Sequence, residues 1–239
     1  MRKLLLPVIL LTTVSFIGLM AQSPLDQILG HDHDDNSSLS TSKIISGLKE
    51  ALRVGTTRAV ATVGQPDGFL KNAAIKITLP PKIENVARGM RLAGMGEKVD
   101  DLEVAMNRAA EQASPAAKQI FLNALLKMTF DDARHILSGD DTAATEYFKR
   151  TCTDQLTTTF MPVVHRSMVK VGLVKKYEEV MQNPLAETVS EKEKFNLDEY
   201  IVHKTLDGLF YMLGQEEKKI RKDPIARTTS LLKEVFGKH

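Results

Sequence analysis

The chain of 239 residues is long enough for one substantial domain or two small ones, and its 43% hydrophobic and 26% charged residues exclude wholesale disorder. Its 32 basic residues nearly balance 30 acidic ones, for a net charge of +2, so it lacks the positive surface expected of a nucleic-acid-binding protein. Only 5% of the residues are aromatic and Trp is absent, which argues against an aromatic platform for stacked bases or sugars.

Residues 1–21 have the pattern of a signal peptide. Arg2 and Lys3 supply the positive start, and a long apolar run follows. Ala21 suits the end of a cleaved signal, whereas Leu19 is larger than the small residue that is usual at its position. The pattern predicts an exported, periplasmic protein, with an uncleaved membrane anchor as the alternative. The mature chain is predicted to have no membrane span.

Residues 22–40 are polar and rich in Ser and Asp, a composition typical of a linker. His31 and His33 alternate with aspartates in this stretch, and imidazole and carboxylate groups are ligands for zinc, copper or nickel. A specific metal site also needs fixed geometry and supporting hydrogen bonds, which a linker does not provide. We therefore predict no cofactor and only adventitious metal binding at these two histidines.

Residues 41–239 predict a single compact all-α domain of about nine or ten helices. Apolar residues recur along this stretch at three- and four-residue spacing, which is typical of helices that bury one face. Ser114 and Pro115 predict a stop and a restart, and Thr129 predicts an N-cap. Pro162 cannot donate the helical hydrogen bond, so it predicts a kink or a further restart.

The C-terminal end of the chain combines a charged run with one more amphipathic helix. The run at residues 216–222 is typical of a solvated helix end. Asp223 and Pro224 then predict a cap followed by the first helical position. The apolar face of this final predicted helix comprises Ile225, Leu231, Leu232, Val235 and Phe236.

One segment departs from the helical pattern. Ile75, Ile77 and Leu79 alternate with polar residues, and this two-residue period is typical of half-buried extended chain. No second segment alternates as well, and a lone strand leaves half of its backbone groups unpaired. We predict one short extended strap over the helices at about residues 74–79, with pairing to an unrecognised strand, in this or another subunit, as the alternative.

Five polar residues are candidates for binding a ligand. Asn107 and Glu111 lie four apart on one predicted helix, with Arg108 beside them, at the rim of an apolar stripe. An amide, a guanidinium and a carboxylate can together hold an anionic head group. The other two candidates are Tyr147 and Arg150, which follow the polar turn at Asp140 and Asp141. The structural alternative is that the first three residues cap neighbouring helix ends or pair with Arg150.

The sequence contains no recognisable catalytic or metal-binding motif. Asp140 and Asp141 suggest cation binding, but the spacing of a calcium loop is absent and capping of the next helix explains both residues. Asp132 and His135 are three apart, like half of a di-metal motif, yet the chain has no Glu-x-x-His. Nucleophile elbows, phosphate loops and dinucleotide fingerprints are also missing. The sequence therefore favours a protein that is not an enzyme.

Cys152 is the only cysteine, so the chain cannot form an intramolecular disulfide. It lies in a helical pattern with Phe148, Leu156 and Phe160, which predicts a small buried apolar residue. A reactive or cross-linking thiol is the alternative.

Six motifs stand in order along the chain: GLKEAL (47–52), DGFL (67–70), NRAAEQASPAAK (107–118), DARHILSGDDTAATEYFKR (132–150), VGL (171–173) and KTLDGLFYMLGQEEKKIRKDP (204–224). Together they resemble an exported bacterial group, domain-of-unknown-function family 4197. The resemblance covers roughly residues 39–237, and it implies a helical domain behind a signal peptide in Gram-negative envelopes, with no activity to carry over. The His/Asp tract near residue 31 lies outside it.

Three functions follow as expectations. The first is a non-catalytic carrier or sensor of an apolar or amphipathic ligand, since ten Met and many apolar helix faces can line an adaptable pocket. The second is an oligomeric envelope scaffold or protein-interaction module that uses the strap as an edge. A hydrolase using Asn107, Glu111 and Asp141 is a distant third. A closed apolar cavity would favour the first, an exposed apolar patch the second, and an open cleft with convergent carboxylates the third.

Overall fold

Eight α-helices and one 3-10 turn make up the regular elements of the computed structural model, which describes residues 41–182, 196–223, 229–230 and 233. These residues contain no β-strand, and all belong to one compact unit, Leu39–His239. The elements are α1 (Thr41–Val63), α2 (Pro81–Leu92), α3 (Gly96–Ala113), the 3-10 turn (Ser114–Ala116), α4 (Ala117–Lys127), α5 (Phe130–Ser138), α6 (Ala143–Lys170), α7 (Leu173–Met181) and α8 (Leu197–Lys222).

The all-α prediction is confirmed, but the described helices number eight rather than nine or ten. One reason is Pro162, where α6 continues without the predicted restart. A proline inside a helix costs about 3 kcal/mol. Phe160 and Val164, on either side of it, are fully buried, and each contributes about 1.5–3 kcal/mol. Burial of the helix face therefore offsets the lost hydrogen bond. The linker, the signal peptide and all of the predicted C-terminal helix except residues 229, 230 and 233 lie outside the described residues.

The N-cap predicted at Thr129 and the stop and restart predicted at Ser114 and Pro115 have different outcomes. Thr129 is the N-cap of α5, where its hydroxyl accepts from the Asp132 N–H and the Asp132 carboxylate accepts from the Thr129 N–H. Ser114 is buried, and its hydroxyl instead donates to the Ala110 carbonyl in the preceding helix, at 2.7 Å. The stop and restart near Pro115 is a single 3-10 turn between α3 and α4.

Helix α8 packs against both α1 and α6, and α3 packs against α2, α6 and α7. The aromatic centre joins three helices, because the Phe121 ring lies edge-on to Phe148 at 5.3 Å and to Phe210 at 5.9 Å between centroids. Phe69, from the loop after α1, is also fully buried. It reaches α8 at Gly208, where a Cβ atom would lie 2.5 Å from its ring.

The segment between α1 and α2 is the strap that the alternating pattern predicts, but it is shorter than 74–79. Residues 73–75 form a turn, and residues 76–80 have no regular secondary structure. Ile75 and Ile77 are buried, whereas Lys76 and Thr78 are exposed, so the predicted alternation of inward and outward side chains is correct there.

We expect Gly208→Ala to lower the free energy of unfolding by about 1–3 kcal/mol, because the new methyl group overlaps the Phe69 ring. Gly214→Ala in the same helix is the matched control, since its nearest neighbours would lie 3.6 Å away. This control should be neutral or stabilising by up to about 1 kcal/mol, because alanine favours the helix. Urea unfolding measures both, and equal effects would contradict the close contact.

Candidate ligand-binding site

Asn107 supplies the hydrogen-bond partner that the lone strap needs. Its side chain is fully buried in α3, and its Oδ1 accepts from the Ile77 N–H at 2.8 Å. Its Nδ2 donates to the Ile77 carbonyl and to the Glu103 carbonyl, each at 2.8 Å. A primary amide carries the same donor and acceptor pair as a peptide group. Asn107 therefore pairs with Ile77 as one residue of a neighbouring strand would.

Glu111, one turn further along α3, binds an earlier part of the same loop. Its Oε1 accepts from the N–H groups of Phe69 and Leu70, both at 3.1 Å. Its Oε2 accepts from the Arg108 guanidinium at 2.7 Å, and the same guanidinium donates to Asp67 at 2.6 Å. A buried carboxylate needs such partners, because an unpaired one costs several kcal/mol.

Asp67 lies where this loop turns. Its backbone φ is +69°, a left-handed conformation that few residues other than glycine adopt. Its carboxylate accepts from Lys71 at 2.8 Å as well as from Arg108. These two cations, Lys71 first, lower the pKa of Asp67 below its ordinary value. Asn107, Arg108 and Glu111 therefore all hold the protein's own loop, so their contacts are neither the helix-end caps nor the pairing with Arg150 that the structural alternative named.

Glu217 in α8 forms a second site of the same kind, which the sequence analysis missed. Its two carboxylate oxygens accept from the N–H groups of Ala144 and Thr145, each at 2.9 Å, in the first turn of α6. Arg221 donates to the Glu217 carboxylate and to the Ile136 carbonyl, both within 3 Å. The charged run at 216–222 is therefore not simply a solvated end, since Glu216 and Glu217 are only 7% and 5% exposed.

The prediction that Asp140 or Asp141 caps α6 is wrong in its details. The N-cap is Thr142, which makes no side-chain cap, because Glu217 already accepts from the first-turn amides. Asp140 instead accepts from the Thr142 N–H at 2.9 Å, in the turn before the helix. Asp141 pairs with Lys222, which lowers the pKa of this carboxyl group. The hydrolase residues Asn107, Glu111 and Asp141 thus each have a separate structural partner.

Tyr147 and Arg150 lie apart from the α3 residues, in an open cleft of about 670 Å³ between α5 and α6. The Arg150 guanidinium lies over the Tyr147 ring, 5.8 Å from its centroid, and the Tyr147 hydroxyl donates to the Ala124 carbonyl at 3.3 Å. Burial raises the pKa of Tyr147. Four carboxylates also line this cleft, those of Asp131, Asp132, Asp140 and Glu146.

Most of these carboxylates are engaged by the chain itself. Asp132 belongs to the capping box of α5, and its hydrogen bonds with Thr129 lower the pKa of the carboxyl group. Asp140 accepts from Thr142, and Glu146 accepts from Lys149 at 2.7 Å. These contacts stabilise turns and helix ends.

The apolar spaces of the described residues differ greatly in size. A crevice between α1 and α8 holds only about 20 Å³, little more than one water molecule needs. An open groove of about 670 Å³ runs between α1 and α4 and has a mainly apolar surface. Leu126, in this groove, is 81% exposed. The groove is lined by Ser46, Lys49, Glu50, Arg53, Gln119, Leu122, Leu125, Leu126 and Thr229.

Cys152 is fully buried in the core, as predicted, and burial raises the pKa of its thiol. No group of three or more His, Cys, Asp or Glu side chains suited to a metal ion occurs within residues 41–182 and 196–223 or the few described beyond them. His31 and His33 lie outside those ranges. None of the helices described there is long and apolar enough to cross a membrane.

Comparison with known proteins yields one finding. Residues 38–237 match the model of a protein family described as "Protein of unknown function (DUF4197)". No curated protein and no solved structure gives a significant match.

We expect Asn107→Ala to lower the free energy of unfolding by about 2–4 kcal/mol, because both backbone groups of Ile77 lose their buried partner. Asn123→Ala in α4, which removes only an exposed hydrogen bond with Gln119, is the control and should change it by less than about 0.5 kcal/mol. Chemical unfolding measures both. An unchanged stability in Asn107→Ala would leave this side chain available for a ligand-binding role.

We also expect Asp67 to make stability depend on pH. Its pKa in the folded protein is lowered, so it stabilises the fold above the unfolded-state pKa of about 3.9 and loses that contribution as the pH falls towards the folded value. Asp67→Asn tolerates the left-handed backbone and removes the charge. The loss of stability between pH 5 and pH 2 should be smaller in this variant than in the wild type, and an equal loss would refute the assignment.

Proposed function

The chain belongs to the DUF4197 family, and we propose that it is an exported, non-catalytic binding protein whose ligand is an amphipathic α-helix of a partner protein. The observation that supports this proposal is the open groove between α1 and α4, where Leu126 is 81% exposed. Contiguous apolar surface of this kind, rimmed by polar residues, typically marks an interaction site. Export is proposed from the pattern of residues 1–21.

The residues that line each wall of the groove are three and four apart along their helix, which is the spacing at which a bound helix places its apolar side chains. Ser46, Glu50 and Arg53 follow one another at four- and three-residue spacing along α1, so they form one stripe. Gln119, Leu122 and Leu126 do the same along α4. Each stripe spans eight residues, or about 10 Å of helix. A helix lying between them can place apolar residues at i, i+3 or i+4, and i+7 on the leucines.

The rim of the groove is held in place by contacts of its own. Lys49 donates to the Met128 carbonyl at 3.0 Å, at the end of α4, where a cation is favoured by the helix dipole. The Arg53 guanidinium and the Glu50 carboxylate form two hydrogen bonds, of 2.7 and 2.8 Å. A polar rim that is already paired favours a ligand that is recognised by its apolar face rather than by a strong charge.

A small-molecule carrier has less support than a helix-binding protein. Pockets for small ligands usually enclose about 300–1,000 Å³. The crevice between α1 and α8 holds about 20 Å³, whereas the α1–α4 groove is large but open along one side. An open apolar groove suits a long ligand that brings its own polar face to the solvent.

We expect Leu126→Glu to weaken binding of an amphipathic helix at least tenfold, since burying one leucine contributes about 1.5–3 kcal/mol. The probe is a fluorescein-labelled 18-residue peptide of Leu, Glu and Lys with leucines at helical spacing, and fluorescence anisotropy gives its Kd. Leu92→Glu is the matched control, because Leu92 is equally exposed, at 85%, at the end of α2 and outside the groove. Equal effects of the two substitutions, or binding that neither changes, would refute the groove as the site.

A further inference from the structure

An open cleft of about 350 Å³ lies between α6 and α8, and it shares no lining residue with the α1–α4 groove. This volume is within the range of pockets that hold small ligands. The buried part of its lining consists of Thr145, Phe210 and Gly214. The remaining lining residues are all polar, namely Thr142, Glu146, Lys149, Asp207, Tyr211, Gln215 and Lys218.

Three side chains of α8 line this α6–α8 cleft without a partner inside the protein. Tyr211, Gln215 and Lys218 are four and three residues apart, so they form one stripe about 10 Å long. None of these side chains makes a hydrogen bond or an ion pair with the part of the chain that the structure describes. Tyr211 is 45% exposed, whereas Gln215 and Lys218 are half-buried. A hydroxyl, an amide and an ammonium group are therefore available along one wall.

The charges of the cleft leave it with a positive site at Lys218. Both of its carboxylates are paired with lysines of their own helix, Glu146 with Lys149 at 2.7 Å and Asp207 with Lys204 at 3.5 Å. Among the described lining residues, Lys218 is thus the one charged group outside an ion pair. An anionic group on a ligand meets a cation there without having to displace an internal partner.

Asp141, outside the cleft, is the acid on which Lys218 acts from a distance. Its carboxylate pairs with Lys222. Lys222, ahead of Arg221 and Lys218, lowers the pKa of this carboxyl group. Because Asp141 has its own partner, the ammonium group of Lys218 stays available to a ligand.

We propose that the α6–α8 cleft binds a small hydroxylated carboxylate, of the chemical class of a sugar acid. The Lys218 ammonium pairs with the carboxylate, and the Gln215 amide, which both donates and accepts, binds hydroxyl groups. The exposed part of the Tyr211 ring packs on the C–H groups of the ligand. A single ring makes this contact, so the site differs from the aromatic platform that the composition argues against. This second ligand goes beyond the proposed function and does not depend on the groove.

Gly214 keeps the cleft open. A Cβ atom at this position would lie 3.6 Å from Thr142 and 3.6 Å from Thr145, and both of these residues line the cleft. An alanine therefore fits there in ordinary van der Waals contact. A longer side chain extends into the space that the ligand needs.

The first test is a titration of the intact, ¹⁵N-labelled protein with D-glucuronate, followed by NMR. We expect amide shifts in residues 142–149 and 207–218, with a Kd on the order of 1 mM, because an open cleft covers a small ligand only in part. Methyl glucoside, which lacks the carboxylate, and acetate, which lacks the hydroxyl groups, should each bind at least fivefold more weakly. No shift in these residues up to about 20 mM glucuronate, or equal affinity for either analogue, would overturn the proposal.

The second test changes the cleft. Lys218→Met should weaken glucuronate binding at least fivefold, whereas Lys175→Met, which removes an 83% exposed lysine of α7 outside the cleft, should leave the Kd unchanged. Gly214→Leu should abolish binding, and thermal unfolding shows whether each variant is folded. Lys218→Met removes no internal contact, so it decides the test if Gly214→Leu is unstable. Equal Kd values for the two lysine variants, or binding that survives in folded Gly214→Leu, would refute the site.

Discussion

The fold depends on two buried carboxylates that accept hydrogen bonds from consecutive backbone amides. Glu111 binds the amides of Phe69 and Leu70, and Glu217 binds those of Ala144 and Thr145. Each carboxylate also pairs with an arginine of its own helix, three or four residues away. A buried carboxylate of this kind stabilises the fold only when it is fully paired, because removing one partner leaves a buried charge uncompensated. Both carboxylates therefore fix one arrangement of distant segments.

These contacts connect the irregular part of the chain to the helical core. Glu111 and Asn107 attach the loop between α1 and α2 to α3, and the loop in turn delivers the Phe69 ring to Gly208 in α8. Glu217 joins α8 to the start of α6. The helices that form the α1–α4 groove pack on this core, α1 against α8 and α4 against α6.

What could be predicted from the sequence was local in the chain. Helical periodicity and the N-cap at Thr129 depend on residues three or four apart, and both predictions are correct. The alternation in the strap was also readable, but its partner is a single side chain, Asn107, that no strand pattern signals. The roles of Glu111 and Glu217 could not be predicted from the sequence, because their amide partners lie more than forty and more than seventy residues away, respectively.

The groove left a weaker trace in the sequence. The buried face of α4 contains Ile120, Phe121 and Leu125, and this stripe accounts for its packing in the core. Leu122 is half-buried against the core, whereas Leu126 falls outside the stripe and is 81% exposed. An apolar residue outside the buried stripe of an amphipathic helix was the available signal for this surface.

The position of Glu217 also bears on the order in which the chain folds. The carboxylate that accepts hydrogen bonds from the first amides of α6 follows them by about seventy residues. During synthesis, α6 is therefore complete well before the amides of its first turn have this acceptor. Contacts at such separation close a large loop and form late, because chain entropy opposes them until other structure has brought the ends together. The loop held by Glu111 and Asn107 spans only about thirty to forty residues and can form first. We therefore expect helix α8 to dock late, and in a chain interrupted before α8 the first turn of α6 would lack the Glu217 carboxylate.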